Sequence, residues 1–255
     1  SWMSPISPDL AKIGIGDQSI QTIIASLIGL DKSSILISLI VPLLICGILL
    51  KYIFSSDKKL SNDNLLSGIV VGLVVTFAWL LTGGDLGQSW IENNDFLDTP
   101  YPAVGVQSFT FINPMGETLL FTSNIFDNFF FTFGVAALLS TIAGSFVYSI
   151  LSNNLRIEWF ANRHDFFRHM IGGILIGIGG VLSLGCTIGQ GVSGVSTLAI
   201  GSVITLISII FGASLMMKIE YYKAVYDDSS FIELLKNSLI DLRVLPETLR
   251  TLEKI

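Results

Sequence analysis

The sequence predicts an all-α polytopic membrane protein, with about five spanning helices and further short or broken ones. Three observations carry this. Mean hydropathy over the chain is +0.71, and charged residues make up 13% of the 255 positions, about half the roughly 25% of an ordinary globular domain. Several windows approach or exceed the ~20 apolar residues needed to cross hydrocarbon. Finally, the stretch 172–201, GGILIGIGGVLSLGCTIGQGVSGVSTLAIG, holds ten of the 24 glycines, one of the two cysteines and no formal charge. No polar block is large enough to fold separately, so one membrane domain is expected.

Charge distribution orients the elements. Twelve of the 14 basic residues fall in three clusters: Lys51, Lys58, Lys59; then Arg156, Arg163, Arg168; then Lys218 to Lys254. None lies between Lys59 and Arg156, where Asp85, Glu92, Asp95, Asp98, Glu117 and Asp127 occur. The positive-inside rule puts the basic clusters in the cytoplasm and the acidic loop outside.

Residues 1–33 read as an external segment, and the transmembrane domain as 34–218. The first span, 34–54 (SILISLIVPLLICGILLKYIF), runs inward to Lys51, with Pro42 expected to kink it. Residues 65–82 return outward, with Gly68 and Gly72 spaced for close helix packing and Trp79 and Trp90 suited to the outer interface. In the acidic loop the middle, near 105–121, is apolar but too short to cross, and reads as re-entrant or interfacial. Residues 128–151 cross inward, 170–182 start outward, and 198–217 return to Lys218. The tail, 219–255, is expected in the cytoplasm, as a surface helix over FIELLKNSLIDL or a partly disordered end.

The glycine-rich stretch between the last two spans is the candidate site. So much glycine disfavours an unbroken helix by up to about 1 kcal/mol per residue. Non-helical backbone at membrane depth persists only where protein buries it or water lines it. Such interrupted helices point to a transport site. A re-entrant motif is therefore expected near 183–197, lined by Cys186, Gly185, Thr187, Gly189, Gln190, Gly191, Ser193, Gly194, Ser196 and Thr197. A second element would hold Ser108, Asn113 and Glu117. The hydroxyls and the Gln190 amide can donate to a ligand, or else satisfy backbone groups freed by the break. Cys46, among Ile and Leu, reads as structural. His164 and His169 lack a third ligand, and IGIGD (13–17) and GIGG (177–180) lack a nucleotide-binding context, so neither metal nor cofactor is expected.

Two segments, SFTFINPMGETLLF (108–121) and RHMIGGILIGIGGVLSLGCTIGQGVSGVSTLAIGS (168–202), resemble the second half of the YeeE/YedE family of sulfur-compound permeases. The resemblance covers most of residues 34–218. It implies the second part of an inverted-repeat transporter in the bacterial inner membrane, not an enzyme. It also implies passage of thiosulfate or a similar anion along a cysteine-lined path, with Cys186 as a transient S–H donor. The family's first repeat carries further functional cysteines, a pattern this chain lacks, so an upstream portion is expected to be missing here. The lipid bilayer and the anion are the expected partners, with a small TusA-like cytosolic sulfur carrier near Arg163 and Arg168, and no nucleic acid. Two other readings stay open: a membrane sulfurtransferase using a Cys186 persulfide, and a membrane anchor for the carrier.

Overall fold

The computed structural model describes residues 19–28, 35–55, 61–124, 128–226 and 229–252. The expected external segment 1–33 falls largely outside these, as do Lys58, Lys59, Asp127 and Lys254. Among the described residues the chain is helical, with one isolated bridge, Ser19 to Ala199, and no strand. It divides into two units, Ser1–Val203 and Ile204–Ile255.

The first unit contains α1 (Ile20–Ile28), α2 (Ile35–Ser55), α3 (Asn62–Gly83), α4 (Asp85–Asp95), α5 (Ile112–Ser123), α6 (Phe133–Leu151) and α7 (Arg163–Leu182), and the start of α8 (Ile200–Val225). Among the described residues, five helices are long and apolar enough to cross a membrane: α2 from Ser38, α3, α6, α7 and α8. Their apolar side chains stay exposed, with Leu43 at 69% and Ile48 at 66% in α2. Apolar faces of this extent are what a lipid-embedded protein presents to acyl chains. The spans match the expected five, with shifted ends. Helix α7 starts at Arg163 because Asn162 caps it, its side chain accepting from the Asp165 N–H at 2.8 Å. Helix α8 continues past Lys218 because hydropathy falls there but no breaker intervenes. Helix α4 was not anticipated, since its sequence DLGQSWIENND is polar.

Helix α5 tolerates Pro114 because it lies in the first turn, where its missing N–H costs nothing. Pro114 packs where α6 has Gly134, and Thr132, the α6 N-cap, donates its hydroxyl to the Glu117 carboxylate. Helix α5 thus sits against both α6 and α7.

In the second unit, α9 (Phe231–Asp241) covers the FIELLKNSLIDL patch and lays Leu234 on Ile219 and Tyr222 of α8. The Asp241 side chain is 2% exposed and receives Arg250 at 2.8 Å and Lys218 at 3.1 Å, with the Tyr222 hydroxyl at 3.1 Å. Burial pushes the Asp241 carboxyl up, but hydrogen bonds from Arg250, Lys218 and Tyr222 outweigh it and hold it below the usual carboxylate range. Its stabilising effect is therefore full above the ordinary carboxylate pKa and is lost as pH falls toward the depressed folded value. We predict that Asp241→Asn raises hydrogen exchange in α9 at neutral pH by the equivalent of about 2 kcal/mol, and that acidification below about pH 4 narrows its difference from wild type.

Candidate functional site

The apolar helix α7 ends at Leu182, and the way it ends shapes everything around Cys186. The Leu184 N–H donates to the Val181 carbonyl (3.2 Å), and the Gly185 N–H donates to the Gly180 carbonyl (2.9 Å). This pair of bonds is a Schellman closure. Its left-handed residue is Leu184, at φ 55°, a conformation that costs an L-residue about 1–2 kcal/mol. Ser183 secures the turn by donating its hydroxyl to the Gly185 carbonyl at 2.7 Å.

Cys186 then opens a short helical stretch, residues 187–196, of which Gly189–Gly194 has π geometry. Its carbonyl accepts from the Gln190 N–H at 2.8 Å. Its Sγ accepts from the Gly189 N–H at 3.4 Å, so the half-buried free thiol caps a first-turn amide. The stretch closes at Leu198, again left-handed (φ 56°), whose carbonyl accepts from the Ile20 N–H.

A second irregular segment, residues 107–111, lies against this one. Ser193 donates to the Phe109 carbonyl at 2.6 Å, and Ser108 to the Val75 carbonyl of α3 at 3.3 Å. The approach is close enough to need glycine. A Cβ on Gly189 would lie 2.6 Å from Thr110 Oγ1, and one on Gly180 would strike Ile112. Thr82 of α3 ties in the segment's start, donating to the Gln107 carbonyl and accepting from the Gln107 N–H.

The expected site residues thus have distinct placements. Gly185, Cys186, Thr187, Gly189, Gln190, Gly191, Ser193, Gly194, Ser196 and Thr197 share the break, and Ser108 reaches it through its neighbours Phe109 and Thr110. Asn113 is exposed in the first turn of α5, and Glu117 is engaged with α6. The polar groups are largely committed to backbone. Ser196 donates to the Ser193 carbonyl and Thr197 to the Gly194 carbonyl, while Trp79 donates to the Ser196 hydroxyl at 3.1 Å. Gln190 Nε2 donates to the carbonyls of Ser183 (2.9 Å) and Leu184 (3.3 Å). Of the two roles the sequence left open, these bonds fulfil the backbone one. Thr187 is exposed, and among the described residues no hydrogen bond occupies its hydroxyl. The N–H groups of Thr187 and Ile188, in the first turn, have no carbonyl four residues back within the helix. Trp79, Thr110 and Ser202 were missed as contributors because their link to the break is purely spatial. An apolar recess lined by Leu81, Trp90, Ile91 and Phe133 includes none of residues 183–197 but borders the start of the second segment at Thr82 and Gln107.

The close approach at Gly189 is testable. Gly189→Ala is expected to lower stability by about 1–3 kcal/mol, read from the thermal midpoint in detergent. Adding Thr110→Ala, which removes the clashing hydroxyl, should recover part of that loss.

A family model described as sulphur transport matches residues 52–215, well over half the chain, spanning both irregular segments and most of the five apolar helices. No curated protein and no solved structure matches it. The chain therefore belongs to the sulphur-transport (YeeE/YedE) family and is a multi-pass membrane transporter for sulfur compounds.

Proposed function

We propose that the protein takes up thiosulfate or a closely related sulfur oxyanion, and that Cys186 holds the anion briefly through its S–H group. One observation carries this: a free, half-buried thiol stands at the start of a helical stretch inside an uncharged break. The sulfur already accepts the Gly189 N–H, so its own proton is left to point toward a ligand. The free first-turn amides and the positive end of the local dipole favour a doubly charged, oxygen-rich anion. No Lys or Arg occurs between His169 and Lys218. A nearby cation would hold the anion as a trap, whereas weak donors let it enter and leave.

The distribution of basic residues supports a bacterial inner-membrane orientation with basic loops and residues 219–255 in the cytoplasm. In that orientation the segments near 105–121 and 183–197 dip into the membrane between the spans. Arg163 and Arg168, at the start of α7, then face the compartment where a small TusA-like sulfur carrier would receive the product.

In cells making the full-length protein, Cys186→Ala is expected to cut labelled thiosulfate uptake by about tenfold or more, the size of one lost hydrogen bond to a charged group. Cys186→Ser, which keeps an O–H donor, should retain part of the activity. Wild-type uptake by the alanine variant, at equal membrane abundance, would overturn the proposal.

A further inference from the structure

Gln190 has more of its polar capacity in use than any other side chain of the break. Its Nε2 reaches back to the carbonyls of Ser183 and Leu184, the two residues of the turn that precedes Cys186. Its Oε1 accepts the Ser202 hydroxyl, from the first turn of α8, at 2.6 Å. Its backbone N–H bonds the Cys186 carbonyl at 2.8 Å. One residue therefore joins the end of α7, the cysteine and the beginning of α8. The amide orientation follows from chemistry, since the reverse would set Oε1 against two carbonyl oxygens.

Two glycines of the motif exist to let this side chain pass. A Cβ on Gly185 would lie 3.0 Å from Gln190 Cγ and 3.2 Å from Nε2. A Cβ on Gly194 would collide with Ser202 Oγ and lie 3.1 Å from Gln190 Oε1. Their spacing is thus accounted for by the bridge itself, without any ligand.

We infer that Gln190 and Ser202 are positioning residues: the Ser202–Gln190 bridge holds the strained Leu184 turn closed and so fixes where the Cys186 thiol points. The inference rests on the reading of Cys186 as the thiol that meets the anion. Gln190 then contributes by holding the turn, with both amide hydrogens already spent on carbonyls. Ser202 needs only a hydroxyl at that point.

The test separates position from transport. In the full-length protein, the rate at which a charged methanethiosulfonate reagent labels Cys186, read by mass spectrometry on the peptide that contains it, reports the thiol's placement whether or not it carries an anion and whatever other cysteines are present. Gln190→Glu sets a carboxylate against the two carbonyls, and Ser202→Ala removes the anchoring donor. Both are expected to label faster, by about fivefold to tenfold for the loss of bonds of this kind. Ser202→Thr, which retains the hydroxyl, should label at the parent rate. For uptake, Gln190→Glu and Ser202→Ala should lower the maximal rate more than they raise KM, with Ser202→Thr restoring it. Unchanged labelling in both Gln190→Glu and Ser202→Ala, at normal membrane abundance, would overturn the inference. So would equal acceleration in Ser202→Thr. If the labelling result is as expected while Cys186→Ala transports normally, the bridge stands and the thiol's role in transport fails. If one variant fails to reach the membrane, the other decides.

Discussion

A helix that stops exposes carbonyls and amides that must find new partners, and each one buried without a partner costs about 1–3 kcal/mol. That constraint organises the chain between α7 and α8. Between Leu182 and Ile200 the chain leaves regular α geometry, and its polar side chains are recruited to answer for the backbone. Ser183, Ser193, Ser196 and Thr197 each donate to a main-chain carbonyl, and Gln190 donates to two. The break is an ordered, internally bonded structure rather than a loose loop.

So many donors are committed to the scaffold that few of the break's polar groups are left without a partner. The cysteine thiol, a threonine hydroxyl and the first-turn amides are weak, neutral donors. Under the proposed function this set is chemically consistent, because strong charges would hold a doubly charged anion too long. The same economy appears in the glycines. They serve close approach: Gly189 admits the segment 107–111, while Gly185 and Gly194 admit the Gln190 side chain. The C-terminal unit solves a different problem, enclosing the carboxylate of Asp241, the last residue of α9. There, Arg250, Lys218 and Tyr222 surround Asp241 so that burying its charge is compensated on every side.

Much of the architecture was readable from local chemistry. Five spans follow from apolar windows, because hydrocarbon demands length and hydropathy within one continuous segment. The position of the break follows from glycine density. Helix α4 was not readable, because its sequence is polar and its hydropathy gives no sign of a helix. The true ends of α7 and α8 were also hidden, since a cap and the lack of a breaker set them rather than a hydropathy change.

The sequence by itself determined the membrane class, the number of spans and the location of an uncharged, thiol-bearing interruption, since each depends on residues that are neighbours along the chain. Tertiary structure alone decided which polar groups are used up by the backbone, and which segment lies across the break. Ser193 meets Phe109 and Trp79 meets Ser196 over separations of 84 and 117 residues. No periodicity or spacing encodes such pairings. They exist because an unsatisfied carbonyl or a side chain short of space is answered by whatever the fold brings beside it.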